Sequence, residues 1–284
     1  MIANIDLSWL QTICLGVVEG FTEFLPVSST GHLTILESAF GLSVDDPDVT
    51  AFTAIIQVGA VLATLVYLRA DFVRIGLAFL RGVRSPPARL EADFRFAIAV
   101  LIGCIPIGII GLAFKDAIET TLRSLWFVGG ALIAWSFVML YADRRASQHR
   151  NEGDVTWQDT LVIGAVQCIA LVPGVSRAGA TMSAGLMRGI DRVSVTRLSF
   201  FLSVPVLGAA GALQIVTEHD RISNGVGWSA TLVATAISFV VAYFSVAALL
   251  RFVARHDYTA FIGYRLVLGA SVLAMVAAGV LSAT

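Results

Sequence analysis

Six stretches of this 284-residue chain are apolar over roughly 20 residues, the length a helix needs to cross the hydrocarbon of a bilayer. They run approximately Ala51–Leu68, Phe96–Phe114, Leu125–Tyr141, Leu198–Val216, Ser229–Leu250 and Gly263–Leu281. In lipid every backbone N–H and C=O must be satisfied internally, which admits only helices or closed barrels, and unalternating runs of this length are helical. Composition agrees: 57% of residues are hydrophobic and 14% charged, against about 25% charged in ordinary soluble domains. The expected class is all-α integral membrane, a single transmembrane domain. A net charge of −1 without a basic tract gives no footing for nucleic acid. Cys14, Cys104 and Cys168 lie in separate apolar stretches and read as small hydrophobes without metal or disulfide spacing. The opening MIANIDLSW lacks the positive start of a cleavable signal peptide, so insertion is expected to rest on the helices themselves.

Two further hydrophobic regions, Leu7–Phe40 and Trp157–Ile190, are each broken midway, by Pro26 and Gly31 in one and by Pro173, Gly174 and Gly179 in the other. A helix does not run cleanly through such breaks, and irregular backbone at membrane depth survives only where protein buries it or it lines a cavity. Both regions are expected to be re-entrant helix hairpins that enter and leave by one face. Arginine then orients the chain by the positive-inside rule. Arg69, Arg74, Arg81, Arg84, Arg89 and Arg95 crowd one connection; Arg144, Arg145 and Arg150, then Arg188, Arg192 and Arg197, then Arg251 and Arg255 mark the same side. Asp45, Asp46 and Asp48, and Glu218, Asp220 and Arg221, mark the opposite side, which places both termini outside.

The halves also resemble each other. One constant shift pairs Gly16 with Gly164, Glu19 with Gln167, Val27 with Val175, Ser28 with Ser176 and Phe52 with Phe200. Each half is a broken hairpin followed by three spans, about 7–141 and about 157–281. Three crossings separate the repeats, so the topology is expected to be inverted, with a shared site near the midplane.

The first break reads EGFTEFLPVSSTGH (Glu19–His32) and the second PGVSRAGAT (Pro173–Thr181). Ionisable groups at membrane depth cost about 2.5–3.5 kcal/mol each on insertion scales and mark function by default. Glu19 and Glu23 stack one helical turn apart. They suit Mg²⁺ or Ca²⁺ shared with phosphate oxygens; the blander alternatives are a protonated carboxyl or an arginine partner. Ser28, Ser29 and Thr30 open a helix, where hydroxyls and free N–H groups bind anions, or simply cap it. His32 is near enough in the chain to take a proton from Ser29 or from water. Arg177 is always charged, and phosphate is its best-matched partner; the alternative is an ion pair with a glutamate across the repeats. Ser176 and Thr181 can add hydroxyl donors on either side of it. Trp9, Trp126, Trp157 and Trp228 read as interfacial anchors. Gly59, Gly103, Gly108, Gly129 and Gly130 read as points of close helix packing. His149, His219 and His256 sit in polar connections.

On those two motifs, and in length and layout along essentially the whole chain, the sequence resembles the undecaprenyl-diphosphate phosphatases of the bacitracin-resistance type. The resemblance implies an inner-membrane enzyme that hydrolyses undecaprenyl diphosphate to the monophosphate and so recycles the lipid carrier of cell-wall polymers. It implies a divalent cation, dimers and an active site open to the periplasmic side. Carried over by motif, the functional residues are Glu19, Glu23, Ser29 and His32, then Ser176, Arg177 and Thr181. The expected roles are Glu19 and Glu23 on the metal, and Ser28, Thr30, Gly174, Ser176, Arg177 and Thr181 on substrate. Ser29 is expected as the nucleophile or as the group that orients water, with His32 taking the proton. One position departs: the family's second motif usually reads Ser-Arg-Ser, and Ala178 stands at its last place, removing a hydroxyl. A polyprenyl-phosphate transporter is the competing reading, since inverted repeats with broken helices also build carriers. An acid-phosphatase-like lipid phosphatase is excluded, because the first histidine after Arg177 is His219, in another connection.

Overall fold

The computed structural model describes residues 7–44, 46–114 and 124–283. Asp45, expected on the outer acidic connection, lies outside them. Among the described residues the structure is all helix, apart from short 3₁₀ turns and one isolated bridge between Arg150 and Ile190. The helices are α1 (Trp9–Thr22), α2 (Ser29–Ala39), α3 (Pro47–Tyr67), α4 (Arg69–Arg84), α5 (Ala92–Ala113), α6 (Leu125–Arg145), α7 (Trp157–Gln167), α8 (Arg177–Met187), α9 (Arg192–Thr217), α10 (His219–Asn224), α11 (Trp228–Val253) and α12 (Thr259–Ala277). Six of them, α3, α5, α6, α9, α11 and α12, are long and apolar enough to cross a membrane. These are the six apolar runs of the sequence; α3, α5, α6 and α9 extend by one to two turns at a polar end, and α12 is set one turn earlier than its run.

Starts and stops follow local chemistry. Ser8 and Gln11 form a capping box on α1, and Thr156 and Asp159 form one on α7. Asp46 caps α3, with Pro47 at its first position. Asp48 also faces Arg221 at 3.6 Å. The arginine-rich connection is not a loop. Most of it is α4, whose apolar residues Val73, Leu77, Leu80 and Val83 lie exposed on one stripe while Gly82 packs under Phe94 of α5. That is the pattern of a helix lying in the interface plane rather than crossing it.

Each broken region folds as two helices joined by a turn. The first is α1, a turn through Pro26, and α2; the second is α7, a 3₁₀ turn at Cys168–Leu171, and α8. Each packs on a span of the opposite half: α1 on α11 and α7 on α5. Lipid tails are as apolar as leucine, so close van der Waals approach, not hydrophobic transfer, drives such contacts. Gly16 and Gly164 are approach points. A Cβ on Gly16 would stand 2.7 Å from Ala234 O, and one on Gly164 would stand 2.0 Å from Gly103 O. Gly59, Gly103 and Gly129 are likewise tightly faced, whereas Gly108 and Gly130 meet nothing within 4 Å and are not packing points. Phe24, at the first break, is buried edge-on against Phe200 of α9, ring centroids 5.2 Å apart. The three cysteines are free and half-buried.

Candidate active site

The two loops are built alike. Each ends in a serine at positive φ, 74° for Ser28 and 76° for Ser176, a backbone region uncommon for residues with a Cβ. Each of those serines caps the next helix. Ser28 Oγ accepts the Gly31 N–H at 3.2 Å, and Ser176 Oγ accepts that of Gly179 at 3.1 Å. Ser28 Oγ also accepts the Gly174 N–H at 3.0 Å, which ties the loops together. Gly174 sits at φ +99°, and a Cβ there would stand 2.4 Å from Val128 O, so the turn admits only glycine.

This join brings charge together from the two halves. Glu23 caps α1, and Arg177 opens α8. Glu23 Oε1 accepts from Arg177 Nη2, with the carboxylate side chain 1% and the arginine 16% exposed. Glu23 Oε2 accepts from Ser29 Oγ at 2.5 Å and from Gln57 Nε2 of α3 at 3.0 Å. Three donors from three elements thus meet on this carboxylate, one on Oε1 and two on Oε2. Glu19, one turn earlier, is 1% exposed and its Oε1 has no hydrogen-bond partner. A buried acceptor left so is costly unless something fills the gap.

A cavity of about 240 Å³ opens on these groups. Glu19, Glu23, Ser28, Ser29, Thr30, Ser176 and Arg177 form its polar floor, with Thr50, Thr53 and Gln57 of α3 and Gln214 of α9 above. Leu33, Ile107 and Leu171 give it an apolar wall. Helices α2 and α8 both start here, and the first N–H groups of a helix have no intrahelical acceptor, so two positive dipole ends meet the cavity. Among the described residues no cluster of three or more histidine, cysteine or acidic groups stands ready to enclose a metal. The pair Glu19 and Glu23, with the orphaned Glu19 oxygen, fits an ion such as Mg²⁺ that takes one or two carboxylates and completes its shell with water and phosphate oxygens.

Several expected contacts differ. Ser29 does not face His32. His32 Nδ1 donates to Ser28 O at 2.7 Å, a carbonyl that can only accept, so neutral Nε2 is left to accept the Tyr264 hydroxyl, also at 2.7 Å. The Ser29 hydroxyl is bonded to Glu23 instead. Thr181 is fully buried away from the cavity, its hydroxyl donating to Arg177 O (2.9 Å) and Ala178 O (3.1 Å) of its own helix. Gly174 spends its N–H on Ser28, so it offers none to an anion. Ala178 packs in the apolar core beside Met139 and Met182, so the hydroxyl missing from the motif is not missing from the cavity. Both bland alternatives hold here too: the serines cap, and Arg177 pairs with a glutamate of the other half.

Sequence reasoning passed over Gln57, Tyr264 and Arg265. Arg265 is 0% exposed inside the last span, and an arginine within an apolar run carries the same signal that singled out Arg177. Gln57 and Tyr264 had no such signal.

Residues 12–271 match the family model of the bacitracin resistance protein BacA. A Frankia casuarinae protein named undecaprenyl-diphosphatase 3 is 67% identical over 275 residues, covering 97% of this chain and 99% of its own length. The undecaprenyl-diphosphatase of Cutibacterium acnes is 46% identical over 284 residues, covering 98% and 100%. Undecaprenyl-diphosphatase 1 of Streptomyces avermitilis is 49% identical over 273 residues, covering 96% and 98%. With a family model spanning nearly its whole length and relatives this similar end to end, the chain belongs to the bacitracin resistance protein BacA family.

Proposed function

We propose that this membrane protein hydrolyses undecaprenyl diphosphate to undecaprenyl phosphate and inorganic phosphate in the cavity between the two loops. The observation that carries the proposal is the Ser29 hydroxyl, bonded at 2.5 Å to a carboxylate that Arg177 holds from the other loop. A carrier needs to bind phosphate and release it; it has no use for a hydroxyl presented to a base.

The diphosphate sits over the starts of α2 and α8, against Arg177, Ser176 and Thr30, with its polyprenyl chain along the wall of Leu33, Ile107 and Leu171. Glu19 and Glu23 would hold a divalent cation, which would supply Lewis-acid neutralisation of the diphosphate charge. Phosphoryl transfer asks mainly for positioning and charge stabilisation, and the fork of Arg177 and the two helix starts supply both. Ser29 Oγ attacks the terminal phosphorus as its proton passes to Glu23 Oε2. The bond to the bridging oxygen breaks, and its electron pair leaves with undecaprenyl phosphate, which takes the proton from Glu23. Water then attacks the phosphoserine, its hydroxyl going to phosphorus and its second proton through Glu23 to Ser29. Gln57 keeps the Glu23 carboxylate turned toward Ser29. His32, engaged by Ser28 O and Tyr264, holds the turn before Ser29.

We read the fold as one transmembrane domain of two inverted halves, about 7–141 and 157–281, on the matched caps Ser28 and Ser176 and the exchanged packing of α1 and α7. Thr50 and Thr53 lie in the first turns of α3 and Gln214 near the end of α9, ends that adjoin the acidic connections. Under the positive-inside rule that mouth faces the outer side of the bacterial inner membrane.

The test is a single-turnover reaction quenched in acid. A phosphoryl group on the Ser29 peptide, absent in Ser29→Ala, is expected; a folded Ser29→Ala protein with wild-type turnover refutes the nucleophile.

A further inference from the structure

Breaking a helix at membrane depth leaves backbone carbonyls without helical partners where no water replaces them. Three such carbonyls, one in the first loop and two in the second, accept from a single side chain of α12. Arg265 donates from Nη1 to Pro26 O at 3.1 Å, and from Nη2 to Gly174 O at 2.9 Å and Val175 O at 3.1 Å. Its Nη2 also reaches Leu132 O at 3.4 Å and its Nε donates to Ser136 Oγ at 3.1 Å, both on α6. All of these partners are carbonyls or a hydroxyl; none is a carboxylate. The preceding residue, Tyr264, holds His32, whose other ring nitrogen holds Ser28 O. Two successive residues of α12 therefore grip the first loop on both sides of its turn, and one of them grips the second loop as well.

A full charge is costly at this depth, and a neutral side chain would fill the space at less cost if filling were all the position required. The guanidinium differs from a filler in being a rigid planar fork, which fixes several acceptors relative to one another. Those acceptors lie within three residues of Glu23, Ser29 and Arg177. We propose that Arg265 is a positioning residue for phosphoryl transfer: by clasping the carbonyls of both loops it sets the distance between the Glu23–Ser29 pair and Arg177, without touching substrate. This rests on the hydrolase reading above.

The test compares Arg265→Lys, which keeps the charge and loses the fork, with wild type in detergent. Phosphate release from undecaprenyl diphosphate is measured per folded protein, with kcat and KM taken separately. Wild type must turn over first; if it does not, the hydrolase reading has failed and this proposal falls with it. Given turnover, a displacement of about 1 Å at reacting groups costs on the order of 100-fold, so kcat of Arg265→Lys is expected to drop by about that factor with KM within about threefold. Hydrogen exchange should rise at residues 25–30 and 173–178 while the spans stay protected. A purely structural role instead lowers the folded yield and leaves kcat per folded molecule intact, and that result overturns the proposal. If Arg265→Lys does not fold, Ser136→Ala decides: several-fold lower kcat at unchanged KM is expected, and wild-type kcat overturns it.

Discussion

Replacing Glu23 by glutamine keeps the shape of the side chain and removes its charge, and the structure allows the cost to be worked out in two parts. The Arg177 pair is almost dry, 16% and 1% exposed. Exposed pairs are worth about 0–1 kcal/mol, but leaving one charge of a buried pair without its partner costs about 3–5 kcal/mol. Both carboxylate oxygens accept from donors, Oε1 from Arg177 and Oε2 from Ser29 and Gln57, so whichever one the amide NH₂ replaces, at least one bond turns to repulsion. Thermal unfolding in detergent should fall by on the order of 10 °C. Glu19→Gln is the internal control. Glu19 is as deeply buried, but its Oε1 has no partner to lose, so its replacement should stay within about 1 kcal/mol of wild type. Activity separates from stability: both variants should lose at least about 100-fold in phosphate release, Glu23→Gln through the lost base and Glu19→Gln through the lost cation ligand. Equal unfolding temperatures for the two variants would refute the assignment of Glu23 as the partner of Arg177.

Three other changes test the corrected contacts. Thr181→Val removes a hydroxyl that serves only its own helix, so kcat should stay within about twofold while stability falls by about 1 kcal/mol. Ala178→Ser restores the usual motif but places a hydroxyl in the apolar core, so phosphate release should not rise, and unfolding should come slightly earlier. Asp159→Asn acts far from the cavity: this buried carboxylate accepts from Arg150 at 2.5 Å, Arg188 at 2.8 Å and the Thr156 N–H at 3.0 Å. With Arg150 and Arg188 part-exposed, the loss should be about 2–3 kcal/mol in unfolding, with kcat per folded molecule within about twofold.

Much of this architecture is legible because a bilayer simplifies the physics. Length and apolarity alone mark α3, α5, α6, α9, α11 and α12, and proline with glycine marks the two breaks. Residue type also carried Glu19, Glu23, Ser29 and Arg177 to the cavity, since charges and hydroxyls at that depth need a reason. Direction was not legible. Thr181 and Ser29 are both hydroxyl residues near a helix start, yet one turns back onto its own carbonyls and the other reaches Glu23. Which occurs depends on the neighbouring helix, not on spacing. His32 is close to Ser29 in the chain, but its ring is drawn to Tyr264, a residue 232 positions later. Helix α4 was hidden for another reason: its arginines answered the question of sidedness, and its apolar stripe only becomes visible once the residues are wound at 3.6 per turn.

If the two loops form one hydrolytic site, turnover needs both. The most direct measurement is phosphate release from undecaprenyl diphosphate by purified protein, with Mg²⁺ and with chelator, beside Arg177→Ala. Cation-dependent release that disappears in the folded variant is predicted, because Arg177 is the second loop's charged contribution to the first. Release that persists in Arg177→Ala, or no release from folded wild type, would contradict it.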